Sequence, residues 1–171
     1  MNLTDRLVEH DIADTRALLE RAQTLTAKQL DAKIDDPQPR LFLECYDATI
    51  RGRLDYLVLT KECWLCAVYA KPNPMEGKRE KTPKGMLARW DSVEKEWREL
   101  VKGVEAEGRW DEMFIDALCE QPETFSFGGM IAHVLDQSAR NRTEVFRAFT
   151  ALGHADAAFG DPLSWEMRKQ A

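Results

Sequence analysis

His133, Gln137 and Asn141 lie four residues apart in the run GGMIAHVLDQSARNR, Gly128 to Arg142. At about 100° per residue, positions i, i+4 and i+8 project from one side of a helix. Two histidines on such a face are a zinc or nickel signal. Gln and Asn offer only neutral amide oxygens, which bind borderline metals poorly. The run therefore has the frame of a metal-binding helix with a single histidine left in it. Glu144 shares the side of Gln137 and Asn141, but one carboxylate and two amides fall short of the six or more oxygens that magnesium or calcium usually takes.

Other reactive side chains are few. His133 reads either as an acid/base or pocket residue, or as a boundary histidine donating to a carbonyl or a neighbouring helix. His10 beside Asp11 reads either as lining the same pocket from the first helix or, the favoured reading, as an exposed helical pair, and His154 follows Gly153, where a cation suits the end of a helix dipole. Cys63 and Cys66 spell CWLC. A redox pair of this kind needs to open a helix after a strand, where the helix N-terminus lowers the thiol pKa. This one lies inside a long apolar helical pattern and reads as ordinary buried cysteine. With Cys45 and Cys119 the pair is expected to be reduced. No nucleophile–His–acid spacing, phosphate loop or dinucleotide fingerprint is present.

The elements that must position these groups are helical. From about Thr4 to Thr24, Val8, Ile12, Thr15, Leu19 and Ala22 recur at spacings of three and four, one stripe of an amphipathic helix. Thr26 and Gln29 form a capping box for a short helix from about Ala27 to Lys33, ended by Asp35, Asp36, Pro37 and Pro39. Asp47 is read as the N-cap of a second long helix reaching about Ala70, with Ile50, Leu54, Leu57, Trp64 and Val68 on one face and Leu59, Cys63 and Cys66 making the other side apolar too. A helix apolar nearly all round is central or sandwiched, which suggests a second subunit on one side and hence a homodimer.

Thr82 and Pro83 open a third long helix carrying Met86, Trp90, Val93, Trp97, Leu100 and Val104 as far as Gly108. Residues 110–127 read as irregular, with short extended pieces around Phe114 to Leu118. Ser126 opens a fourth long helix, with Ile131, Val134, Ser138, Val145, Phe149 and Leu152 as its stripe and Gly153 at its end. The tail adds a short turn or helix at Pro162 to Met167. Four long amphipathic helices with one or two short ones imply an all-α fold, a four-helix bundle in one domain over 1–171.

Composition narrows the class of function. The chain of 171 residues, 44% hydrophobic and 32% charged, is globular, and its net charge of −6 argues against a nucleic-acid partner, which needs gathered Lys and Arg. The basic run Lys78 to Lys84 sits among prolines and reads as a solvated loop. No run approaches the length of a membrane span and no secretory signal is visible, so the expected location is cytoplasmic.

With these elements placed, the chain resembles the DinB family, or DinB/YfiT-like superfamily of metal-dependent enzymes. The segment EHDIADTRALLERAQTLTAKQLDAKI resembles that family's first helix and its Leu-Thr-x-x-Gln-Leu turn. TIRGRLDYLVLTKECWL resembles its second helix, where a histidine commonly stands eight residues before the tryptophan that is Trp64 here; that position is Tyr56. TFSFGGMIAHVLDQSARNRTEV resembles the metal helix, with His133 at its first histidine, Gln137 and Asn141 at the two that usually bind metal, and Arg142 keeping the following arginine.

The resemblance implies hydrolase-like or thiol S-transfer chemistry on a divalent metal. Tyr56, Gln137 and Asn141 would have to hold that ion, and a phenol with two amides binds it far more weakly than three imidazoles. The expectation is therefore no metal cofactor, with Tyr56, Gln137 and Asn141 lining a pocket for a small-molecule ligand, in a binding or dimeric interaction protein. Two alternatives stay open. One is an enzyme with a rearranged site that uses His133 or a non-standard metal. The other is a thiol-dependent protein that uses Cys63.

Overall fold

A computed structural model describes residues 1–34, 47–118, 121–154 and 160–170. The fold is mostly helical, with one small sheet. In chain order the elements are α1 (Leu3–Ala22), α2 (Ala27–Leu30), α3 (Ile50–Tyr69), α4 (Pro83–Ala106), β1 (Met113–Asp116), β2 (Glu123–Ser126), α5 (Phe127–Ala151) and α6 (Pro162–Arg168).

Each helix begins where a side chain can accept an otherwise unpaired N–H of the first turn. Asn2 and Asp5 form a capping box on α1, Thr26 and Gln29 another on α2, and Ser126 accepts from Gly129 N–H at the start of α5. Thr82 caps α4, with Pro83 in its first turn. The second long helix starts later than Asp47. Asp47 Oδ1 accepts from Thr49 N–H at 3.2 Å, and Thr49 Oγ1 takes the Gly52 N–H at 3.0 Å, so Thr49 is the cap and Asp47 supports it from outside.

The short helix α2 stops at Leu30 because the chain beyond it turns extended. Lys33 bridges Thr49, Ile34 N–H donates to Ala48 O at 2.7 Å, and Ile50 N–H donates to Ala32 O at 3.0 Å. The segment from Asp35 to Pro39, expected to end this helix, lies outside the described residues. Helix α3 ends on Ala70, which takes a left-handed conformation at φ 50° ahead of Pro72 and Pro74. The extended piece expected around Phe114 to Leu118 is β1, pairing antiparallel with β2 so that Phe114 faces Phe125. The partner strand was not foreseen. Four residues of Glu-Thr-Phe-Ser are too few to display an alternation.

Helices α1 and α3 each pack against both α4 and α5, the hairpin leans on α3 and α5, and α6 lies on α1. The expected stripes are the core: Val8, Ile12, Leu19, Leu54, Leu57, Met86, Val134, Val145 and Phe149 are buried, and Trp90 and Trp97 are fully enclosed. Every residue of α3 from Gly52 to Lys61 is buried within the chain, so both sides of this half of the helix are covered, whereas beyond it Cys63, Trp64 and Cys66 are half-buried and Tyr69 is exposed.

Candidate functional site

Tyr56 on α3 and Gln137 and Asn141 on α5 converge where these two helices pack. Gln137 Nε2 donates to Tyr56 Oη at 2.7 Å, and Asn141 Nδ2 donates back along its own helix to Gln137 O at 2.8 Å. Asn141 Oδ1 accepts from Arg53 Nη1 at 2.6 Å. Arg53 stands one turn before Tyr56 and its side chain is fully enclosed. Sequence reasoning missed this guanidinium. Its signal was available, a charge three residues from Tyr56 in a helix apolar on nearly every face.

These residues do not fit a divalent ion. The amide oxygen that Asn141 would offer already binds a guanidinium, whose charge repels a second cation. Gln137 leaves one neutral amide oxygen open, and a phenol, which its nitrogen bonds here, stays protonated near neutrality, so the set supplies no anionic or imidazole ligand. Among the described residues, no three His, Cys, Asp or Glu side chains gather in metal-binding geometry. Glu144 stands 3.7 Å from Arg147 in an ion pair on the same helix.

His133 precedes Gln137 by one turn on the same face of α5. Its ring meets Trp64 of α3 edge to face at 6.0 Å, and Trp64 meets Phe125 at 5.6 Å and Phe114 at 6.2 Å on the hairpin. His133 is half-buried. Burial pushes its imidazole below the ordinary histidine range, against the pull of the Asp136 carboxylate and with that of Arg140, so the neutral ring is favoured. Gln137 Oε1 is buried and accepts no hydrogen bond. The seam thus offers an unused amide acceptor, a neutral imidazole and aromatic edges.

A second polar cluster lies deeper. Arg142, next to Asn141, pairs with Asp11 of α1. Lys61 of α3 brings Nζ within 3.0 Å of Asp11 Oδ2 and donates to Ser138 Oγ of α5 at 2.7 Å. The same nitrogen stands 5.3 Å and 6.0 Å from the ring centroids of Trp90 and Trp97 on α4. Burial opposes ionisation of both acid and amine here. For Asp11 the charges of Lys61 and Arg142 overcome it and hold the carboxyl below its ordinary range, whereas for Lys61 burial prevails and the amine is pushed down.

His10 is not part of an exposed pair with Asp11. It is buried, with Nε2 at 3.1 Å from both Gly160 O and Asp14 Oδ2, under the edge of Trp165. The arrival of α6 over α1 covers it, a long-range event that its sequence neighbours do not announce. His154 Nε2 accepts from Gln29 Nε2 at 3.2 Å, tying the end of α5 to α2. Cys63 and Cys66 are half-buried within α3 and are not in a disulfide, and burial pushes the Cys66 thiol up, away from thiolate chemistry. Cys45 and Cys119 lie outside the described residues.

Comparison with protein families, with curated proteins and with solved structures finds no match to this chain.

Proposed function

We propose that this chain is a DinB-like four-helix bundle in which a hydrogen-bonded polar set has replaced the metal site, and that it works as a metal-free small-ligand-binding protein. The observation that carries the reading is the contact of Gln137 with Tyr56 at 2.7 Å. The three positions come from the family resemblance; Gln137 of α5 meets Tyr56 of α3 across 81 residues, and Asn141, one turn on, bonds Arg53 of the same helix α3. Support for a ligand comes from the unused Gln137 Oε1, buried beside His133 and Trp64. A homodimer through α3 would have to use its C-terminal half, where Cys63 and Cys66 are half-buried and Tyr69 is exposed, because Gly52 to Lys61 are enclosed by their own chain.

The test rebuilds the proposed ancestor. Tyr56→His, Gln137→His and Asn141→His together should create a three-imidazole site that takes up one zinc ion per chain at micromolar or tighter affinity, while the natural chain takes up none. Calorimetric titration with zinc reads both. Stoichiometric zinc on the natural chain would end the metal-free reading. A folded triple variant without zinc would show that the three positions do not converge as ligands.

A further inference from the structure

The cluster of Asp11, Lys61 and Arg142 is out of balance. Two cationic side chains share one carboxylate where the Lys61 and Asp11 side chains are essentially sealed from water. A guanidinium stays charged throughout the range in which proteins fold, and that of Arg142 pairs with Asp11. Its pairing with Asp11 is balanced without help. The surplus charge therefore falls on Lys61, and an uncharged amine can still hydrogen-bond Ser138 and lie against the indole faces of Trp90 and Trp97.

Among the described residues, the surroundings of Lys61 supply no further anion. From α1 it meets Asp11; Asp14, one turn on, is taken by His10 at 3.1 Å and Arg168 at 2.7 Å. The α4 face presents the two tryptophans, and α5 presents Ser138 and Arg142. On α3 itself, Glu62 is bound by Arg89 at 2.6 Å, and Asp55 by Arg89 at 2.6 Å and Arg79 at 3.4 Å. Asp11 and the indole faces favour the ammonium, whereas loss of hydration and the nearby guanidinium oppose it.

We propose that this cluster is a proton-linked junction: with one carboxylate shared between Arg142 and Lys61, the folded core disfavours the protonated amine of Lys61, and proton uptake there loosens the attachment of α1 and α5 to α3. In the unfolded chain Lys61 is an ordinary lysine, protonated below about 10.5. The unfolded state therefore binds the extra proton across a window that ends near 10.5. Stability contributed by Lys61 rises with pH through that window and is lost as pH falls.

The experiment compares thermal unfolding of the natural chain and of Lys61→Met between pH 7 and 10. The midpoint of the natural chain relative to the variant should rise by about 3 °C or more across this range. A difference that stays flat or falls overturns the proposal. If Lys61→Met fails to fold, the natural chain labelled with [13C]lysine gives the answer alone. One lysine, identified by its proximity to the indole protons of Trp90 and Trp97, should lose its proton well before the others. Titration of that lysine together with the rest, near 10.5, overturns the proposal equally.

Discussion

Asp11 sets the charge balance of the interior, since it is the carboxylate that both Arg142 and Lys61 approach. Removing one partner from a buried ionic set leaves charge without compensation, which costs about 3–5 kcal/mol. Asp11→Asn should lower unfolding stability by that amount in urea titration. Removal of the half-exposed Glu9, paired with Arg98 at 2.6 Å, should cost about 1 kcal/mol or less. Equal losses at the two sites would refute the distinction. The pH dependence of the Asp11 contribution has the opposite origin to that of Lys61. Its carboxyl is held below the ordinary value of 3.8, so its stabilisation is present above that value and fades as acid brings the pH down through the folded one. Asp11, Lys61 and Arg53 were legible only as exceptions. Lys61 falls on the stripe of Leu54, Leu57 and Leu65, and Arg142 with Asn141 fills the gap between Ser138 and Val145. A charged residue in a stripe position is the sequence signal of a buried ion. It does not reveal the partner, because Asp11 meets Arg142 across 131 residues.

Helices and their caps were the most legible part of the fold, because each depends on residues within one or two turns. Thr26, Thr82 and Ser126 cap as their local sequence implies. The misplaced start of α3 shows the limit, since Asp47 and Thr49 are both good caps and the choice between them is made by the bridge from Lys33 to Thr49. Gly52 records that choice. A Cβ built there would stand 2.2 Å from Asp47 O and 2.6 Å from Asp47 Cβ. Helix propensity alone makes Ala better than Gly by about 1 kcal/mol. Overlap with fixed backbone reverses the sign, so Gly52→Ala should destabilise by about 1–3 kcal/mol in chemical denaturation. A stabilised variant would mean that the chain does not turn tightly into α3 at Asp47. Convergence of Tyr56 with Gln137 was implied by the family resemblance rather than by local pattern, whereas the hairpin and its aromatic contacts with Trp64 left no local trace.

On the scale of the molecule, α6 stands apart from the other helices. It is seven residues long and rests on α1 through Trp165, the Arg168 to Asp14 ion pair at 2.7 Å and the pairing of Arg6 with Glu166. Among the described residues its main support is α1, and an element with few supports opens on its own. Trp165→Ala should therefore release α6 and speed amide exchange there and around His10, while exchange in α3 and α5 stays slow; acceleration throughout would show that α6 is integral to the core. The long helices behave differently, because polar contacts cross their seams: Arg53 to Asn141, Lys61 to Ser138, Asp11 to Arg142. Apolar stripes alone tolerate slippage, since one leucine serves nearly as well as another a turn away. If α5 slid by one turn, about 5.4 Å, against α3, Arg53 would lose Asn141 and Lys61 would lose its hydroxyl. The buried ions thus work as a lock with a single key, admitting one alignment of otherwise interchangeable helices and making every near-miss packing expensive.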